Sequence, residues 1–338
     1  MSLDASFDIK NIVCSYFNNF KNTINLYNLN KDHQDNIIIR NLYCIEYKFL
    51  KRLNQKIIEQ NKYKYVERLN ADRNKKICNV NHMKKTLKIL NCYGSEIDQK
   101  GILELNLIEL DAYGNKKIKN VNHMKRTLKK LDCSYDCGID QNGIYELNLI
   151  ELTTTSNKQI KNLNHMKNTL KILDCGYKCG IDQNGIQELN LINLYACGND
   201  KIKNVNHMKE TLKILGCRDN SGIDQDGISE LNLIQLDADD NEKIKNVNHM
   251  KKTLRKLRCR FNSGIDQNGI AELNLIELTT SGNEQIKNVN HMKNTQVARD
   301  GQKPRLLKKL YCAFDSGIDQ NGISDGEKYN FTPSHGFF

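Results

Sequence analysis

The stretch Asn79-Val80-Asn81-His82-Met83-Lys84, NVNHMK, decides how this chain folds. His-Met returns at His123, His165, His207, His249 and His291, so the spacing is 41 once and then 42 four times. A fixed period of this size marks stacked structural repeats, each packing only on its neighbours. Working outward, each 42-residue unit divides into two related coils. One runs through Leu170, Leu173, Cys175, Lys178 and Ile181; the other runs through Leu191, Leu194, Ala196, Asn199 and Ile202, with starts 21 residues apart. Both follow L-x-x-L-x-(C/A)-x-x-(N)-x-x-I. The folding unit is therefore the coil.

This pattern resembles the leucine-rich repeat over residues 66 to 328, and looks closest to the repetitive members from AT-rich genomes, giant DNA viruses included. The resemblance implies an α/β leucine-rich-repeat solenoid, a horseshoe whose L-x-x-L-x-L segments form a parallel sheet on the concave side. The rest of each coil would return over the convex side. Leu170, Leu173, Cys175, Leu191, Leu194 and Ala196 would point inward, with Ile181, Ile186, Leu189, Ile202, Val205 and Met208 completing the spine. Coils of the His-Met type start at Val66, Leu107, Leu149, Leu191, Leu233 and Leu275. Coils of the Cys type start at Leu87, Leu128, Leu170, Leu212, Leu254 and Leu307, giving about twelve coils of 21 residues. Residues 296–306, between Thr295 and Leu307, are an 11-residue insertion, expected on the convex side, and residues 329–338 form a C-terminal tail.

Residues 1–65 lie outside this reading of the array. Ile9, Ile12, Val13, Tyr16, Phe17 and Phe20 fall on one face of a helix,. Further helices are expected around Leu26–Tyr43 and Ile45–Ile58. About 35 residues here resemble an F-box, the helical module that docks onto a ubiquitin-ligase adaptor, although the usual Leu-Pro opening is missing. The alternative is a helical N-terminal cap covering the apolar end of the first coil.

Asn74, Asn115, Asn157, Asn199, Asn241 and Asn283 occupy one position in every His-Met coil. Such a ladder can satisfy turn amides that a parallel solenoid leaves unpaired. The Cys-type coils put Asp136, Lys178, Asn220, Asn262 and Asp315 there, so their turns are expected to be looser. Of the twelve cysteines, Cys92, Cys133, Cys175, Cys217, Cys259 and Cys312 share a position that alternates with Ala112, Thr154, Ala196 and Ala238. A small buried residue is what the position needs. Coils about 4.8 Å apart leave such cysteines about 10 Å from one another, beyond the roughly 7 Å a disulfide spans. Free thiols fit a reducing, cytoplasmic setting, which would be host cytoplasm for a viral protein.

The same spacing argues against a zinc site built from the histidine ladder, since zinc-bound nitrogens lie within about 4 Å of each other. The repeated GIDQNGI loop, for example Gly180–Ile186, lacks the spacing of a calcium loop and reads as a turn,. No cofactor is implied. There is no nucleophile elbow and no phosphate loop, and a residue present six times does not make the one special environment an active site needs. The chain is read as a non-enzyme. Asp4 and Asp8 stand where a secretory signal wants cations, and no long apolar run follows, so no membrane span is expected,.

Function is read from where the copies differ. The outward strand positions vary while the return segments are nearly copied, and they carry Tyr135, Tyr177, Tyr195, Arg218, Arg258, Arg260, Phe261, Tyr311 and Phe314. Exposed Tyr, Phe and Arg are common interface anchors. The expected function is a protein–protein interaction scaffold binding a partner protein on the concave face. It could serve as a substrate receptor for a ubiquitin ligase, with the adaptor held by residues 1–65. Net charge is +11. Lysine rows at Lys119, Lys161, Lys203, Lys245, Lys287 and at Lys84, Lys125, Lys167, Lys209, Lys251, Lys293 offer the alternative, nucleic-acid or anionic-surface binding,.

Overall fold

One short strand per coil follows from the L-x-x-L-x-(C/A) pattern, because alternation sends the central leucine inward and its two neighbours outward. The computed structural model describes residues 39–43, 50–293, 307–312 and 316–318. They fall into two compact units, residues 1–160 and 161–338. In the first unit the strands are β1 (Asn41–Leu42), β2 (Arg68–Asn70), β3 (Ile89–Asn91), β4 (Glu109–Asp111), β5 (Lys130–Asp132) and β6 (Glu151–Thr153). They pair in chain order, all parallel, with leucine opposite leucine from Leu42↔Leu69 to Leu131↔Leu152.

The second unit repeats the arrangement with β7 (Ile172–Asp174), β8 (Asn193–Tyr195), β9 (Ile214–Gly216), β10 (Gln235–Asp237), β11 (Lys256–Arg258), β12 (Glu277–Thr279) and β13 (Lys309–Tyr311). Its register runs from Leu173↔Leu194 to Leu278↔Leu310, again parallel at each step. β12 pairs directly with β13, so residues 294–306, which lie outside the described segments, interrupt the sequence without breaking the ladder. These leucines are buried, together with the Met83, Met124, Met166, Met208, Met250 and Met292 row. Each such side chain contributes about 1.5–3 kcal/mol relative to exposure.

The array begins one coil earlier than Val66. Ile39, Leu42, Leu53, Ile58 and Tyr63 are buried, and β1 pairs with β2. Of the helix expected over Ile45–Ile58, the described part is helical at Leu50 and again at Gln55–Ile58, with Lys51–Asn54 non-helical between them. Leu53-Asn54-Gln55-Lys56-Ile57-Ile58 is a disguised copy of Ile-Asp-Gln-Asn-Gly-Ile: Asn54 Oδ1 accepts from the N–H of Ile57 where aspartate caps the later loops. Tyr43, expected to end the preceding helix, instead follows a strand. The helix expected over residues 9–20 and most of the F-box-like stretch lie outside the described residues.

Polar ladders join coil to coil. Asn115, Asn157, Asn199, Asn241 and Asn283 are buried, and each Nδ2 donates to two carbonyls of the preceding Cys-type coil. For Asn199 these are Cys175 O at 2.9 Å and Ile181 O at 3.1 Å. The same clamp recurs at Asn157 and Asn241. The Cys-type turns are therefore not looser, contrary to the sequence reading: the next coil's asparagine holds both ends of the turn. Cys137 and Cys179, each four residues after Cys133 and Cys175, fill the small buried slot that Ser221 and Ser263 occupy elsewhere.

The histidines are also structural. Nε2 of His82, His123, His207, His249 and His291 donates to the Ile58, Ile102, Ile186, Ile228 and Ile270 carbonyls of the preceding coil, at 3.1–3.2 Å. Glycine in GIDQNGI serves close approach rather than turning. A Cβ on Gly143, Gly185, Gly227 or Gly269 would fall 2.0–2.2 Å from a carbonyl oxygen of the preceding coil.

Candidate protein-interaction surface on the strand face

Two outward columns run along the strands, at the first and third strand residue, and two more follow on the turn just past them. Among the described residues the last of these is left-handed: Arg73, Tyr135, Ser156, Tyr177, Asp219, Asp240 and Phe261 have φ between 50° and 59°, and Gly94, Gly114, Gly198 and Gly282 share the column. A side chain there costs of order 1 kcal/mol. The interior supplies the constraint that holds it, since the residue that follows is tied into the coil.

In the first unit this edge carries a tyrosine ladder. Tyr93 meets Tyr113 edge-on with ring centroids 4.6 Å apart, and Tyr113 meets Tyr135 at the same distance, tilted by 44°. The Arg73 guanidinium lies 5.1 Å from the Tyr93 ring centre. Beside the ladder, a shallow cavity of about 200 Å³ is lined by Tyr43, Glu109, Asp111, Lys130, Asp132 and Glu151. Burial, with Asp132, Asp72 and Glu109 nearby, pushes the Asp111 carboxyl up to about 6, against the stabilising N–H of Tyr113. Burial likewise lifts the Tyr113 phenol to about 12, Tyr135 adding to the effect.

In the second unit the arginines singled out from sequence are already engaged. Asp239, almost fully buried, accepts Arg258 Nη2 at 3.1 Å, Arg260 Nε at 2.8 Å and the Arg260 backbone N–H at 2.8 Å. Arg218 Nε lies 3.4 Å from the Cys197 sulfur and 3.7 Å from Asp237, which Arg258 also approaches at 3.5 Å. Burial and Asp239 raise the Asp237 carboxyl to about 6, with Arg258 and Arg218 opposing. These arginines organise the surface more than they reach from it. Free reach belongs to the aromatics: Tyr135, Tyr177 and Phe261 are 45%, 48% and 45% exposed.

Tyr177 and Phe261 each lie against the left-handed glycine of the next coil, where a Cβ on Gly198 or Gly282 would come 2.9 Å from the ring. Arg260 covers the Phe261 ring at 5.1 Å. Tyr195 and Tyr311 end β8 and β13 half-buried, and Phe314 lies outside the described residues. The structure thus gathers Tyr177 and Tyr195 at one end of the second unit's strand face and Arg218, Arg258, Arg260 and Phe261 around Asp237 and Asp239. Tyr135 joins the tyrosines of the first unit. Tyr113, Asp111, Asp237 and Asp239 were missed. Superposing the two coil types would have found Tyr113, which shares Tyr93's column.

The charge on the opposite side is less available than its count implies. Lys84, Lys125, Lys167, Lys209 and Lys251 pair with Glu104, Glu146, Glu188, Glu230 and Glu272 of the following coil. On the strand face Lys130 pairs with Glu151 and Lys256 with Glu277. Among the described residues, no three His, Cys, Asp or Glu side chains cluster to hold a metal, and no helix is long and apolar enough to cross a membrane.

Parallel strands in register, one per coil of about 21 residues around buried leucines, agree with one solved structure in particular. The functional domain of InlJ from Listeria monocytogenes, described as including a cysteine ladder, matches with a TM-score of 0.53 and 21% identity over 86% of this chain and 61% of that one. The chain has a leucine-rich-repeat fold. At that identity the likeness concerns the fold alone, and the match spans less than two thirds of the InlJ chain. No protein-family model matches the sequence, and no curated protein matches it either.

Proposed function

We propose that the chain is a non-enzymatic interaction scaffold whose strand face binds a partner protein. One observation carries this reading. The interior and return segments are copied from coil to coil and consumed by coil-to-coil bonds, whereas the outward strand columns differ at almost every coil and expose aromatic rings. A leucine-rich-repeat array presents such a face as an extended surface. The test is affinity capture with the full chain, comparing Tyr135→Ser, Tyr177→Ser, Phe261→Ser with Lys119→Ala, Lys203→Ala, Lys245→Ala. Ser156 stands in the same left-handed column, so serine fits there without refolding. Partners lost only in the first variant support the strand face; partners lost only in the second refute it.

A receptor role toward a ubiquitin ligase would need docking by residues 1–38, since residues 39–43 and 50–65 already contribute to the first coil. Recovery of a ligase adaptor by the full chain and not by a chain lacking residues 1–38 is its test. The second reading, binding of nucleic acid or an anionic surface, draws on Lys119, Lys203, Lys245 and Lys287, which form no ion pair among the described residues. It requires affinity that falls steeply with salt.

A further inference from the structure

Strands β7 to β10 break the charge pattern of the strand face. The first outward position there reads Ile172, Asn193, Ile214, Gln235, whereas β11 to β13 carry Lys256, Glu277 and Lys309. The residue just before each strand is Lys171, Ile192, Lys213 and Ile234. Backbone bonds join these four in order, each N–H donating to the previous carbonyl at 2.8 Å, so their alignment is fixed. The two columns together set four isoleucines in a zigzag over four neighbouring strands. Ile192 and Ile234 are 44% and 46% exposed, and Ile172 and Ile214 are half-buried.

Tyr195 extends the patch. Its ring rests on Gly216, where a Cβ would fall 3.0 Å from Cδ1, so the ring lies along the sheet. Neither column holds a carboxylate in this window, and among the described residues Lys171 and Lys213 form no ion pair. The nearest acid on β10, Asp237, already faces Arg218 and Arg258. Four strands about 4.8 Å apart span about 15 Å. An extended chain laid across them, at about 3.4 Å per residue, drifts out of step. A helix repeats its face every 5.4 Å or so and keeps step better.

We infer that this window, Ile172, Ile192, Tyr195, Ile214 and Ile234 rimmed by Lys171 and Lys213, docks an amphipathic helix of a partner protein that carries bulky apolar residues flanked by carboxylates. The inference rests on the strand-face reading and names the partner's chemistry. The isoleucines and Tyr195 supply the buried contact, and the two unpaired lysines select the sign of the flanking charge.

The probe is a displayed library of amphipathic helical peptides with Leu, Ile, Phe or Met on one face and the flanks randomised between Glu and Lys, selected against the full chain. Enrichment of acidic-flanked peptides is expected. Ile192→Ser with Ile234→Ser should weaken them roughly thirtyfold. Lys171→Glu with Lys213→Glu should weaken them roughly tenfold at low salt and favour Lys-flanked peptides instead. All four side chains lie outside the core, so circular dichroism should be unchanged. No enrichment, Lys-flanked winners, or binding indifferent to both pairs would overturn the inference. Binding indifferent to both pairs but abolished by Tyr135→Ser, Tyr177→Ser, Phe261→Ser would sink this site and leave the strand-face reading intact. Capture of phosphatidylserine vesicles that needs Ile192 and Ile234, without peptide enrichment, would overturn it in favour of a lipid surface.

Discussion

Replacing Asn199 with alanine isolates the clamp that joins one coil to the next. The side chain is fully buried. Nδ2 donates to Cys175 O and Ile181 O at 2.9 and 3.1 Å, and Oδ1 accepts the Lys201 N–H at 3.0 Å. Alanine deletes all three bonds, leaving two carbonyls unmet inside the array and the part-buried Lys201 N–H without its acceptor. Each orphaned buried group costs about 1–3 kcal/mol, and the vacated volume adds to that. Local relaxation returns part, so the expected loss is about 3–4 kcal/mol. Because coils stabilise chiefly their neighbours, the damage should be local. Urea unfolding followed by circular dichroism reads the loss, and hydrogen exchange should rise first at residues 175–181 and 199–202. Asn199→Asp separates bonding from size: it can still accept from Lys201 but faces the two carbonyls with oxygen, and should be at least as harmful at neutral pH. A change below about 1 kcal/mol with exchange at 175–181 unaltered would refute the clamp.

Gly185→Ala should cost more than about 3 kcal/mol, because the new Cβ would sit 2.0 Å from the Lys161 carbonyl oxygen; a normal melting temperature would contradict the close approach. Asp111 binds its proton more tightly folded than unfolded, since its carboxyl is raised to about 6. Its penalty is therefore absent below about pH 4, grows as pH rises towards 6 and stays constant above. Asp111→Asn should thus stabilise the chain by about 1–2 kcal/mol near neutral pH and by almost nothing in acid, and an equal gain at both would dismiss the account. Burial holds the Cys92, Cys175 and Cys217 thiols well above the usual range. A thiol reagent should label exposed Cys78 in the native chain and these three only on unfolding, as mass spectrometry of the labelled peptides can tell.

The repeat was legible because one side chain does the same job in every coil. Leu173, Leu194 and Leu215 pair with one another directly, so the leucine spacing alone gives strand, register and core face. The cysteine column was legible for the same reason, since Ala and Thr alternate with it. The first coil was hidden because Asn54 and Ile57 replace the aspartate and glycine that mark the later loops, while Leu53, Gln55 and Ile58 keep their places. The pairing of the Lys84 row with the Glu104 row was visible in principle, both rows sharing the period, but a net charge summed over the chain conceals it. The arginine network was not readable at all. Arg218, Arg258 and Arg260 look like anchors in one dimension, and only the stacking of β10 between β9 and β11 brings Asp237 and Asp239 beneath them.

Everything rests on adjacent coils placing equivalent residues opposite each other on parallel strands. Cysteines introduced at Asn193 and Ile214, partners across β8 and β9, test this most directly. Neighbouring strands bring their Cα atoms to about 4.8 Å, inside the reach of a disulfide, whereas Asn193 and Gln235 stand two strands apart at about 10 Å. Under mild oxidation the pair 193–214 should cross-link and the pair 193–235 should not. Cross-linking of 193–235 without 193–214, or of neither, would contradict the architecture and the surface built on it.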